Sequence, residues 1–199
     1  TIKVFILGDV EYPGAYDVSS LSTLFTALHA AGGPSKKGSL RRILLKRDTK
    51  TVATVDLYDY LLNGNNSNDP ILENYDTIFI PPIGPVVKID GHVKRPAIYE
   101  IKNKTSVHTL IHSLAGGLWG TANEHHIRLK RVNKNKDHTF VDLISNDGNT
   151  KPLLKKTIVQ ANDQVHISSI LSDTHNTVRI KGMVKRAGVY GYTPTMSLS

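Results

Sequence analysis

A fifteen-residue pattern occurs three times in this chain, at 4–18, 87–101 and 178–192. Each copy is an alternating apolar run followed by Gly, one residue, Val, a short turn and Tyr. The positions that all three copies share are Gly8, Gly91 and Gly182, then Val10, Val93 and Val184, then Tyr16, Tyr99 and Tyr190. The intervals between the glycines are 83 and 91 residues. Because an internal repeat constrains the whole fold, we expect similar units of about 80 to 90 residues.

Each copy of the pattern predicts a β-hairpin. Ile2, Val4 and Ile6 alternate with other residues, and this two-residue period is typical of a half-buried strand. Turn-forming residues follow at matching places in the copies: Pro13 and Gly14, Pro96, and Gly188. The glycine before each turn indicates a bulge or a close backbone approach. The tyrosine repeats in frame, which favours a core or edge role over ligand binding.

A helix is predicted after each of the first two hairpins. The expected N-caps are Ser22 in the first unit and Thr105 or Ser106 in the second, and apolar residues follow at helical spacing. A pair of glycines is expected to end each helix, because glycine adopts the left-handed conformation that commonly follows a helix. These pairs are Gly32 with Gly33, and Gly116 with Gly117.

Further strands complete each of these two units. They are expected at 42–46, 52–57 and 77–80, and again at 127–132, 139–143 and 164–167. Two pairs of aspartates match between the units and are assigned turn or capping roles: Asp56 with Asp142, and Asp76 with Asp163. One helix on a small mixed sheet gives an α+β fold. We expect one domain at 1–84, a second at 85–175, and the first hairpin of a truncated third domain at 176–199.

The charge of the chain is unevenly distributed. Of the formal net charge of +8, residues 1–85 carry −1, residues 86–175 carry +5 and residues 176–199 carry +4. A basic second half favours an anionic partner such as a nucleic acid, a lipid head group or an acidic polysaccharide, with a solvated basic face as the alternative. The lack of cysteine excludes disulfides and cysteine-based metal sites. No apolar run approaches the roughly 18 residues that a membrane helix needs.

Four motifs recur in order in the first two units. They are GDVEYPGAY (8–16), LFTALHAAGGP (24–34), RRILLKR (41–47) and NYDTIFIP (74–81), matched by GHVKRPAIY (91–99), LIHSLAGG (110–117), IRLKR (127–131) and ANDQVHI (161–167). This set resembles the SLBB family, the soluble-ligand-binding β-grasp domains, and the resemblance covers nearly all of the chain. It implies tandem β-grasp domains. The chain departs from the family pattern at Ala97, where Gly is usual, and at Ala187, where Pro is usual.

The resemblance also implies a function. Tandem SLBB domains are typical of bacterial outer-membrane polysaccharide export proteins, in which they form stacked rings in the periplasm. The implied role is therefore a non-enzymatic, periplasmic and outer-membrane-associated part of a capsular or exopolysaccharide export apparatus, without a cofactor. The implied partners are further copies of the chain, an anionic polysaccharide and an inner-membrane polysaccharide co-polymerase, rather than nucleic acid. The alternatives are a DNA-uptake or nucleic-acid-binding SLBB protein and a binder of a small soluble ligand.

Five residues are candidates for ligand binding. Lys94 and Arg95 occupy the hairpin turn of the second unit, and Lys185 and Arg186 occupy the same turn of the third. These cations could bind carboxylate or phosphate groups of an acidic polymer, or they could belong to a solvated turn or a salt bridge between domains. Trp119, the only tryptophan, follows the second glycine pair, where it could stack on a sugar face or cover the helix–sheet core.

Metal binding and catalysis find little support in the sequence. His108 and His112 lie four residues apart on a predicted helix and could share a metal, with His125 and His126 of the following loop as the remaining candidates. Surface histidines are the simpler interpretation, and no metal site is predicted. The segment GPSKKGS at 33–39 lacks the lysine that directly follows the second glycine of a phosphate loop. No nucleophile elbow or carboxylate pair is present, so an enzyme is not predicted.

Overall fold

The computed structural model describes residues 1–133, 137–144, 149–170 and 177–191. The elements of the first repeat are β1 (Ile2–Gly8), β2 (Gly14–Val18), α1 (Leu24–Ala30), β3 (Ile43–Arg47), β4 (Lys50–Val55), α2 (Leu57–Asn63) and β5 (Thr77–Ile80). Those of the second are β6 (Val86–Gly91), β7 (Ala97–Glu100), α3 (Val107–Thr109) continued by a π-helical segment (Leu110–Leu114), β8 (Ala122–Val132), β9 (His138–Leu143), α4 (Lys151–Lys156) and β10 (Gln164–Ser169). The third repeat contributes β11 (Thr177–Ile180) and β12 (Gly188–Gly191).

Each of the first two repeats forms one five-stranded mixed sheet. The strand order is β2-β1-β5-β3-β4 in the first repeat and β7-β6-β10-β8-β9 in the second. The pairs β1–β5 and β6–β10 are parallel, and the other neighbours are antiparallel. The prediction of an α+β fold of tandem small mixed sheets is therefore confirmed. The third repeat forms the predicted antiparallel hairpin over its described residues.

The main helix of each repeat packs on one face of its sheet. Residues such as Leu24 of α1 and Ile6 of β1 are fully buried in the first repeat, as are Leu110 and Ile89 in the second. Since alternate residues of a strand point to opposite faces, the described residues between these buried ones point away from the main helix. Among the described helices, none is long and apolar enough to cross a membrane.

The N-caps of the two helices are equivalent. The Thr23 hydroxyl accepts a hydrogen bond from the Thr26 N–H at 3.4 Å, and the Ser106 hydroxyl accepts one from the Thr109 N–H at 3.1 Å. The predicted cap at Ser22 is wrong by one residue. The Ser22 backbone instead bonds to a segment outside the helix, because the Ser22 carbonyl accepts a hydrogen bond from the Leu72 N–H.

The π-helical segment accommodates one extra residue. From N-cap to first terminating glycine the chain runs nine positions in the first repeat, Thr23 to Gly32, and ten in the second, Ser106 to Gly116. A π turn absorbs one inserted residue while both ends of a helix stay in place. Accordingly, the Ala115 N–H bonds to the Leu110 carbonyl five residues earlier, whereas the equivalent bond in the first repeat spans four.

Two predictions for the later strands need correction. β4 ends at Val55 rather than at residue 57, because the Asp56 carboxylate caps α2 by accepting from the Tyr58 N–H at 3.0 Å. The match of Asp56 with Asp142 is also wrong. Ile43 pairs with Val55 and the corresponding Ile127 pairs with Leu143, so Asp142 lies inside β9 and caps no helix. The sequence interpretation also missed α4.

Candidate functional site

The hairpin turn of each of the first two repeats is anchored by its glycine. Gly91 has φ of +84°, and a β-carbon there would lie 2.0 Å from the Ile167 carbonyl oxygen; at Gly8 the corresponding distance, to Ile80, is 2.1 Å. Such a distance excludes every residue except glycine without a backbone shift. The first strand therefore runs directly against the closing strand, and the turn that follows is placed at one end of the sheet.

The turn then meets the glycine pair after the helix. The Lys94 N–H donates to the Gly117 carbonyl at 3.0 Å, and the Arg95 N–H donates to the Ala115 carbonyl at 2.9 Å. The Arg95 guanidinium lies against Gly116, where a β-carbon would be 2.9 Å from its Nε. In the first repeat the Tyr12 ring covers Gly32 in the same way.

We call the second repeat's turn at 92–96 and its loop at 116–119 the hairpin–glycine surface. Trp119 leaves 54% of its surface exposed in that loop, so its interpretation as a cover of the helix–sheet core is wrong. The loop is attached to the turn by a hydrogen bond from the Trp119 N–H to the His92 carbonyl at 3.2 Å. The structure thus brings Lys94, Arg95 and Trp119 to one exposed surface.

Lys185 and Arg186 lie in the equivalent turn of the third repeat, and both are exposed. The backbone of this turn matches the others, since the Val184 N–H donates to the Gly182 carbonyl at 2.9 Å. Neither hydrophobic cluster of the described chain includes a residue of β11 or β12. The remaining residues of the predicted third domain, 176 and 192–199, lie outside the described ranges.

The repeated tyrosines close the hairpins from inside. Tyr16, Tyr99 and Tyr190 each donate their hydroxyl to the carbonyl four residues earlier, at 2.7, 2.7 and 2.9 Å. Burial raises the pKa of the Tyr99 phenol, and the nearby Arg95 partly offsets this shift. A neutral donor in this position fixes the turn, which is a structural role.

Two ion pairs with buried aspartates occupy equivalent positions in the first two repeats. The sequence interpretation matched the aspartates but did not identify their arginine partners. Asp163 has 0% exposure and accepts a bidentate contact from Arg131 at 3.1 and 2.7 Å; Asp76 does the same with Arg47, at 2.8 Å for both contacts. Each carboxylate also accepts the N–H three residues earlier and so closes the turn before the last strand. The signal was available, because RILLKR and IRLKR end in the same arginine.

The two repeats are joined by Glu100, a residue that the sequence interpretation did not single out. Glu100 is 2% exposed, and its carboxylate accepts four hydrogen bonds, all from the first repeat and the connecting segment. The donors are the Ser39 hydroxyl at 2.7 Å and the N–H groups of Gly84, Leu40 and Arg41 at 2.8, 2.9 and 3.3 Å. This density of hydrogen bonds fixes one repeat against the other.

A polar cleft of about 330 Å³ lies beside this junction, lined in part by Arg41, Asp56, Tyr58 and Lys102. Burial favours the neutral form of Asp56, but hydrogen bonds from Lys102 and the Tyr58 N–H and the charge of Arg41 outweigh it, so its pKa lies below the usual value. Tyr58 belongs to the hydrophobic cluster of the second repeat, and burial raises its pKa. The cleft is therefore built mainly from groups that already bind one another.

The histidines do not assemble into a metal site in the described part of the chain. The rings of His108 and His112 are adjacent, with centroids 4.4 Å apart. His125 and His126 lie in β8 rather than in a loop. No group of three or more His, Cys, Asp or Glu residues with metal-binding geometry occurs among the described residues.

These features define the class of protein: tandem α+β modules, each built on a five-stranded mixed sheet. Comparison with family models matches the SLBB domain at residues 3–56 and 86–142, and the chain belongs to this family. It is similar to two sequences of the polysialic acid transport protein KpsD of Escherichia coli, with 31% identity over 105 residues in each case. The similarity covers 52% of this chain and 19% of the relative, so the chain corresponds to a small part of that protein.

Proposed function

We propose that this chain is a non-enzymatic, periplasmic part of a bacterial capsular or exopolysaccharide export apparatus, associated with the outer membrane. The observation that carries this proposal is the pair of SLBB repeats in a chain similar to a polysialic acid transport protein. The basic second half agrees with an acidic polymer as cargo. The chain would assemble with further copies of itself into a ring and would contact an inner-membrane polysaccharide co-polymerase.

The hairpin–glycine surface is the proposed contact with the polymer. Lys94 supplies an exposed ammonium group for a carboxylate, and Trp119 supplies an exposed ring on which the apolar face of a sugar can stack. Arg95 can contribute its charge while its guanidinium also packs on Gly116. Repetition of this turn at Lys185 and Arg186 would give a ring several equivalent cationic positions along the polymer path.

Deletion of the gene in its own bacterium tests the export role. We expect the acidic polysaccharide to be synthesised but retained inside the cell, with surface polysaccharide restored by the intact gene. Complementation with a Lys94→Gln/Trp119→Ala variant should restore less surface polymer than a Lys104→Gln control, which removes an exposed charge elsewhere in the same repeat. Unchanged surface polysaccharide in the deletion strain would overturn the proposal.

A further inference from the structure

The face of the second sheet that is turned away from the helix carries a separate cleft. It has a volume of about 240 Å³ and is lined by residues of four strands: Asp90, Arg128, Lys130, Phe140, Gln164 and His166. Val165 and Ile167 of β10 are fully buried, so the residues that alternate with them point to the open side. Register places Gln164 beside Lys130, and Lys130 beside Phe140.

Among the described residues, the ion pairs at this cleft leave one cation, Lys130, available. Arg128 bonds to Asp142 at 3.0 Å, while Asp90 bonds to both Lys88 at 2.8 Å and His166 at 2.6 Å. None of the ion pairs found among the described residues involves Lys130.

Phe140 is 60% exposed, and Lys130 and Arg128 both lie 5.9 Å from its ring centroid. The exposed ring is thus flanked by two cations, one of which, Lys130, forms no ion pair within the described part of the chain.

The first repeat provides an internal comparison. Its register places Lys46 opposite Thr77 and Leu44 opposite Phe79, at the positions that Lys130, Gln164, Arg128 and His166 occupy in the second repeat. Of these positions only the lysine is identical on both faces, although the Lys46 Nζ also lies 5.2 Å from a ring centroid, that of Phe79. The polar and cationic character of the second face is therefore not a requirement of the shared fold.

We propose that this face binds a carboxylate-bearing sugar residue of an acidic polysaccharide. The Phe140 ring would stack on the apolar face of the sugar, Lys130 would bind the carboxylate with support from Arg128, and Gln164 would bond to hydroxyl groups. The choice of cargo rests on the proposed export function. The site itself is distinct from the hairpin–glycine surface, which lies at the turns rather than on the sheet.

Titration of the ¹⁵N-labelled 199-residue chain with an α2,8-linked sialic acid hexasaccharide tests this site. We expect amide shifts in β8, β9 and β10, and no binding of the carboxyl-reduced hexasaccharide. Lys130→Gln and Phe140→Ala should each weaken binding about tenfold, as expected for the loss of one charged or stacked contact. Lys46→Gln is the matched control on the first sheet and should change the affinity less than about twofold.

Several outcomes would overturn this site. They are absence of hexasaccharide binding, equal affinities of the Lys130→Gln and Lys46→Gln variants, equal binding of the carboxyl-reduced sugar, and shifts confined to 92–96 and 116–119. Complete competition by inorganic phosphate would likewise reduce it to a general anion site. Each of these results leaves the export role standing, because that role depends on surface polysaccharide in the deletion strain.

Discussion

At the scale of single residues, the second repeat contains two Arg–Asp pairs whose arginines lie on the same strand, β8. The surroundings of the two aspartates differ. Arg131 binds Asp163, which is fully buried, whereas Arg128 binds Asp142, whose side chain is 41% exposed. Removing one partner of a buried pair leaves an uncompensated charge, whereas an exposed pair contributes little. The two pairs therefore allow the effect of burial to be measured with the same chemistry.

We expect Asp163→Asn to lower the free energy of unfolding by about 3 to 5 kcal/mol. The matched Asp142→Asn variant should lower it by less than about 1 kcal/mol. Urea denaturation followed by circular dichroism measures both values. Similar losses in the two variants would show that Asp163 does not depend on its buried partner.

Some residue roles could be predicted from the sequence and others could not. The in-frame glycines and tyrosines mark backbone positions, and such positions recur wherever the fold recurs. Trp119 and Glu100 do not recur, and their surroundings come from segments distant in the chain. Glu100 in particular meets donors about 60 residues earlier, a contact that no local pattern encodes.

At the scale of elements, the main helix of the second repeat combines a π turn with a histidine, His108, that faces the lysines of α4. Burial lowers the pKa of His108, and the positive charges of His112, Lys155 and Lys151 lower it further. The unfolded chain therefore takes up this proton at a higher pH than the folded chain does. The contribution of neutral His108 is complete above pH about 6.5 and is lost as the pH falls toward the lower, folded-state pKa.

A His108→Gln variant should consequently flatten the fall in stability below pH about 6.5. Lys155→Gln, which removes one of the neighbouring charges, should flatten it partly. Thermal unfolding measured at intervals between pH about 5 and 8 gives the slope for each protein. An unchanged slope in the His108→Gln variant would contradict this assignment.

Some elements could be predicted from the sequence pattern, and others could not. The hairpins and closing strands follow from alternation and turn residues, and they lie within a few residues of the predicted positions. The π turn is visible only as one additional residue between cap and glycine pair, which the repeat alignment contains but periodicity alone does not reveal. α4 was missed because its segment, KPLLKK, is too short to show a helical period.

At the scale of the whole molecule, the junction at Glu100 determines whether the first two repeats act as one body. Glu100→Gln replaces an acceptor oxygen with an NH₂ group that faces existing N–H or O–H donors. We expect a loss of about 2 to 4 kcal/mol in the free energy of unfolding.

The matched control is Glu124→Gln at an exposed position of β8, which should change stability by less than about 0.5 kcal/mol. Amide signals from both repeats, followed through urea denaturation, should move together in the wild-type chain and at lower urea in the Glu100→Gln variant. Equal midpoints for the Glu100→Gln and Glu124→Gln variants would mean that the carboxylate does not hold the repeats together.

A comparison of polymers would show whether this SLBB chain serves an acidic polysaccharide. Binding of the 199-residue chain to polysialic acid, neutral dextran and duplex DNA should be measured side by side at about 50 and 200 mM salt. We expect polysialic acid to bind more tightly than DNA at the higher salt, and dextran not to bind. Tighter binding of duplex DNA, with an affinity that falls steeply with salt, would rule out the polysaccharide role and favour a nucleic-acid-binding role.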